Sequence, residues 1–168
     1  MTELLVLRVV HILAGIFWLG AGLMTSLFLV PALSSAGAAG GAVMQALRAR
    51  GLMTWMPVAA GLTMFSGTRL FWIASGGALG AYAATPSGRV FALAGAASVA
   101  GFLIAMFVGR PAQQQAMQLQ QSAVDHADKR KAIEQRIARL RRRGSLASLA
   151  GLLLLVASAT GMSVARYV

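Results

Sequence analysis

The sequence predicts an all-α membrane protein, a four-transmembrane-helix bundle with a basic cytoplasmic helical hairpin between its third and fourth helices. Three observations predict it. Of the 168 residues, 58% are hydrophobic and only 11% charged, and the mean hydropathy is +0.72. The apolar residues gather in four runs, each near the roughly 20 residues that ~30 Å of hydrocarbon requires at about 1.5 Å per residue. Of 15 Lys and Arg, nine fall between positions 110 and 143.

The first span covers 4–33, interrupted only by Arg8 and His11, and Pro31 marks its end. Glu3 makes its start acidic and the apolar run exceeds a signal-peptide core, so a retained helix is expected rather than a cleaved leader. A small-residue connector, 34–51, holds a short helical patch at Val43, Met44 and Leu47, with Arg48 and Arg50. The second span covers 52–75. Pro57 lies within its first two turns, where a missing N–H costs little, and Arg69 lies near its far end. Glycines and the run Thr85, Pro86, Ser87, Gly88 mark 76–88 as a loop. The third span covers 89–110 and closes at Gly109, Arg110 and Pro111.

The polar segment 111–143 follows. Its Gln, Ala and Arg content, with Ile133, Ile137 and Leu140 at helical spacing, favours helix. The chain must turn back within it, and 122–128 is the expected turn, with Asp125 or Asp128 as cap for the returning arm. The fourth span, 145–165, ends on Arg166, Tyr167 and Val168 at the interface. The whole chain reads as one membrane domain.

Positive charge sets the orientation. The nine cations between spans three and four, and Arg48 and Arg50 after span one, place both loops in the cytoplasm. Both termini and the 76–88 loop then face the outer side. The net charge of +11 is explained by this rule and by anionic lipid at the hairpin, so no nucleic-acid partner is expected. The absence of cysteine excludes disulfides, zinc–thiolate sites and iron–sulfur clusters.

Two small-residue rows suit close helix approach in lipid. One is Ala97, Gly101, Ala105 and Gly109; the other is Ala157, Gly161 and Ala165. They serve packing within the bundle or docking of another membrane subunit or a second copy. The four carboxylates lie outside the spans, so paired-carboxylate, Ser-His-Asp and proton-path chemistry lacks its parts, and no catalytic residue is assigned. His11 is the exception, an ionisable residue about 10 Å inside the first span. Gly15, Trp18, Gly22 and Thr25 share its face, while Leu13, Phe17 and Leu27 point elsewhere. Arg69 reaches a similar depth. Such a pair suits a haem, with His11 on iron and Arg69 on a propionate. Alternatively His11 joins Met24, Met64 or Met162, the last best placed, around Cu(I). The bland alternative is a histidine bonded to a neighbouring helix and an arginine that snorkels outward. The expected role is therefore a non-catalytic accessory subunit of a larger membrane complex, docking through its small-residue helix faces, with haem b or copper binding as the rival.

The opening helix, with His11, Ala14, Trp18 and Gly20, resembles that of the CopD-like (copper resistance D) membrane proteins. Later features are similar too: Gly67 and Thr68 in span two, Pro111 and Ala112 after span three, a basic run, and a closing Val164, Ala165, Arg166, Tyr167. HemJ-type proteins look alike in the first helix, where the family histidine is a haem ligand. The resemblance implies a bacterial inner-membrane protein with a haem or copper link, carried here by His11.

Overall fold

The computed structural model describes residues 2–122 and 130–168, and every regular element in them is helical. In order these are α1 (Thr2–Leu23), α2 (Val30–Ser35), α3 (Gly37–Ala49), α4 (Leu52–Ala74), α5 (Leu79–Ala84), α6 (Pro86–Ile104), α7 (Arg110–Ser122) and α8 (Arg130–Val164). A π-turn at Met24–Leu29 joins α1 to α2, and a second at Ala105–Gly109 joins α6 to α7. Among the described residues three helices are long and apolar enough to cross a membrane: Thr2–Ser35, Pro86–Gln120 and Lys131–Tyr167. At 23 residues α4 has the length, but Thr54, Thr63, Ser66, Thr68 and Arg69 keep it from matching their apolarity.

Helical structure extends further than composition suggested. The helix does not stop at Gly109, Arg110 and Pro111 but continues through them into α7. Proline lacks an N–H and its ring collides with the carbonyl four residues back, which ordinarily breaks or kinks a helix. Here a π-turn comes first. Arg110 N–H bonds the Ala105 carbonyl, five residues back, and the register shift lets the helix accommodate Pro111. The same device precedes Pro31, where Val30 N–H reaches the Thr25 carbonyl. The connector after α2 is mostly the 13-residue α3. The expected loop 76–88 contains α5, and α6 already begins at Pro86. Of the expected turn 122–128 only Ser122, the last residue of α7, is described; the rest, with the capping Asp125 or Asp128, lies outside the described residues.

The chain divides into two compact units. The first comprises Met1–Ser98 and Leu155–Val168. In it α1 packs antiparallel on α4, and Gly51, in the left-handed region at φ 86°, reverses the chain from α3 into α4. Ala59, Ala60 and Thr63 are buried on the inward face of α4, whereas Phe65 is 72% exposed. Large apolar groups pointing outward and small ones inward is the arrangement that lipid, not water, permits. Near the C-terminus Gly161 lies against Ala94 and Val90, and the Ser87 hydroxyl donates to the Val168 carbonyl at 2.9 Å.

The second unit, Val99–Leu154, joins α6, α7 and the first part of α8. A Cβ on Gly101 would stand 2.9 Å from the Gly151 carbonyl oxygen, and one on Gly151 3.1 Å from that of Gly101. Gly109 meets Ala147, and Gly144 meets Gln113 and Ala112. Backbones come this close only where side chains are absent. Ala112 and Ala116 are buried, and the Arg141 guanidinium donates to Gln120 Oε1 at 2.8 Å. The two arms of the basic segment are thus helices, α7 continuing α6 and α8 running 35 residues into the apolar region.

Candidate functional site

His11 sits in the α1–α4 seam. Its Nδ1 lies 2.9 Å from the Thr63 carbonyl oxygen and 3.3 Å from Ser66 Oγ. A carbonyl can only accept, so Nδ1 carries the proton it donates to Thr63. Ser66 Oγ in turn donates to the carbonyls of Leu62 and Thr63, and Thr63 Oγ1 donates to that of Ala59. In the neutral ring this assignment leaves the acceptor lone pair on Nε2, for which the described residues provide no hydrogen bond. Among them no buried side-chain nitrogen or oxygen lacks a partner.

Gly67 makes the contact possible. A Cβ there would stand 2.7 Å from His11 Cε1 and 3.1 Å from Nδ1, so the imidazole edge occupies the space a side chain would take. One turn further along α1, Gly15 faces Thr63. The face read from spacing is the one buried: Trp18 is 7% exposed, and Leu13, Phe17 and Leu27 point outward. Thr63 and Ser66 are not singled out by the sequence, and Gly67 enters there only with Thr68 in the resemblance, not as a neighbour of His11. Their signal was present as two small polar residues and a glycine within five positions of one apolar helix.

Arg69 comes to a different partner. Its Nε and NH2 lie 2.8 and 2.7 Å from Glu3 Oε1, and both side chains are substantially exposed. The guanidinium is therefore engaged with a carboxylate at the helix ends rather than held beside the imidazole. Met24 is exposed in the first π-turn, whereas Met64 and Met162 are half-buried. The partners His11 meets are Thr63, Ser66 and Gly67.

Among the described residues no group of three or more His, Asp or Glu is poised around a metal. The donor set toward haem iron or copper is one imidazole nitrogen, which does not by itself fit a closed metal site. A group bound there would draw its remaining ligands from elsewhere. Of the packing rows, Gly101, Gly109 and Ala165 are buried and Gly161 and Ala97 half-buried, while Ala105 and Ala157 are exposed. Gly144, Ala147, Gly151 and Ser158 are buried on α8 and were absent from the row read there. Comparison with family models, curated proteins and solved structures finds no match to this chain.

Proposed function

We propose that this chain is a non-catalytic integral membrane subunit that crosses an inner membrane four times and presents a basic helical hairpin to the cytoplasm. The observation that carries this reading is the continuity of α8. Its cationic first part and its apolar second part form one 35-residue helix, so the basic arm runs into the membrane span with no break in helical structure. The small-residue rows are largely taken up within the chain, which leaves the basic arm as the main docking element toward another subunit. Four crossings, with α4 as the second, give the hairpin and the 34–51 connector one side and both termini the other, as their cations favour. Gentle solubilisation tests the docking role. A partner should co-purify and be lost when Lys131 and Arg136, exposed on the basic arm, are replaced by Gln; a chain that migrates alone would overturn it.

A second reading rests on its own observation. Ligating histidines usually donate their other ring N–H to a carbonyl or carboxylate, as His11 Nδ1 does to Thr63. His11 Nε2 would then hold a haem iron or Cu(I), which supplies electron transfer or metal handling, in keeping with the CopD-like resemblance. Under this reading the purified protein shows a Soret band or stoichiometric copper that His11→Ala abolishes. A colourless, metal-free preparation from metal-replete cells would end it.

A further inference from the structure

In the second unit an open groove of about 460 Å³ runs along α8 beside α6. Arg139, Arg142 and Arg143 line one end, and Ile104, Val108 and Leu146 line the other. On α8 the lining positions 139, 142, 143, 146, 147 and 150 share one helical face, so a single stripe changes from cationic to apolar within one turn. Among the described residues no hydrogen bond or ion pair engages those three guanidiniums. Glu134, the acid on the described part of α8, is five residues before Arg139 and falls on the other side of the helix.

The depth of the change matters. From Leu146 to Val164 is 19 residues, about 28 Å, which matches the ~30 Å of hydrocarbon. Arg142 and Arg143 therefore stand at the level of lipid phosphates, with Leu146 and Ala150 at the level of the first acyl carbons. Ala147 and Ala150 are short, and this leaves the apolar half of the groove open.

We propose that this groove binds one anionic phospholipid, its phosphate on Arg139, Arg142 and Arg143 and an acyl chain lying against Ile104, Leu146 and Ala150. Charge complementarity selects an anionic headgroup, because a zwitterionic lipid brings its own cation beside the phosphate, which three uncompensated guanidiniums repel. The apolar half selects a lipid over free phosphate. The proposal rests on α8 crossing the membrane as read above, but not on any protein partner.

The test uses the full chain in a neutral detergent, titrated with dioleoyl phosphatidylglycerol and read by native mass spectrometry. One lipid should bind, at least about tenfold more tightly than dioleoyl phosphatidylcholine. Arg142→Gln with Arg143→Gln should weaken binding about tenfold or more. Arg48→Gln with Arg50→Gln removes the same charge elsewhere and should leave it within about twofold. Ala150→Phe fills the apolar half at constant charge and should weaken binding several-fold. Equal losses in the two arginine pairs would reduce the effect to net charge and overturn the site. An unaffected Ala150→Phe, or displacement of the lipid by equimolar glycerol 3-phosphate, would overturn the lipid assignment. Unchanged helical circular dichroism and elution certify each variant's fold. Cysteine labelling at each end of α8 reports separately on whether it crosses.

Discussion

At the scale of single residues, the α1–α4 seam turns on a histidine fitted against a glycine. Membrane hydrogen bonds between helices average about 0.6 kcal/mol and reach about 1.7. His11→Ala should therefore lower stability in micelles by about 1 kcal/mol, measured by reversible unfolding in mixed detergent. Gly67→Ala places a methyl where the imidazole edge lies, and should cost as much or more. Because both changes act on one contact, their effects should not add: in the double variant much of the Gly67→Ala penalty disappears, with a coupling of about 0.5–3 kcal/mol. Simple additivity would show that the ring is not what Gly67 accommodates. The exposed Glu3–Arg69 pair is different in kind. Glu3→Gln should change stability by less than about 1 kcal/mol, and less still at high salt. The inward position of His11 was readable from the face shared with Gly15 and Trp18. Its partner was not, because spacing within one helix carries no information about which carbonyl of another helix lies opposite. The pairing of Arg69 with Glu3 was hidden for the same reason.

At the scale of elements, four buried small residues along α8 and just past its end stand seven positions apart, Gly144, Gly151, Ser158 and Ala165, with buried Ala147 beside the row. Along α6 and α7 the corresponding residues are Ala94, Gly101, Gly109 and Ala116, at steps of seven, eight and seven. A seven-residue repeat is the pattern of two helices held side by side. The eight-residue step contains the π-turn, which is the one-residue insertion that such a turn represents. Four-residue spacing found Gly101, Gly109 and Gly161 but put Ala157 on a covered face, where the seven-residue repeat selects Ser158. That choice depends on the partner helix and could not be made from one helix alone. Gly151→Leu should cost more than about 2 kcal/mol, because its side chain meets the Gly101 carbonyl rather than yielding apolar atoms. The same substitution at exposed Ala157 should be nearly neutral. The helix end expected at Pro111 also failed to materialise, since proline excludes a regular α-turn and not a π-turn. Pro111→Ala restores a donor there, and hydrogen exchange across 105–112 should slow.

For the molecule as a whole, composition carried most of what could be known. Abundant apolar residues in long runs fix a helical membrane protein, because lipid leaves a backbone no other way to satisfy its polar groups apart from a closed barrel. The span 52–75 is the one whose helix falls short of the others in apolarity, since α4 carries Ser66 beside His11 and Arg69 beside Glu3. Topology is open to direct measurement, helped by the absence of native cysteine. Thr2→Cys, Gly80→Cys and Val168→Cys should react with an impermeant maleimide added to spheroplasts, while Ala49→Cys and Gln135→Cys should react only after lysis. Reaction of Gln135→Cys in intact spheroplasts would invert the proposed orientation.

The turn before Pro111 acts as a phase setting. Each residue in an α-helix advances the azimuth by about 100°, so one residue more or fewer re-aims everything downstream without altering its composition. In a regular α-turn the extra residue of the eight-residue step would swing the α7 arm by about that angle; the π-turn takes it up, so Ala112 and Ala116 stay turned inward and Gln120 stays beside Arg141. Deleting Met106 would return the step to seven residues and keep that direction, but it would set Pro111 in a regular α-turn, where its ring meets a carbonyl. The turn thus lets the chain carry a proline there and still aim the arm.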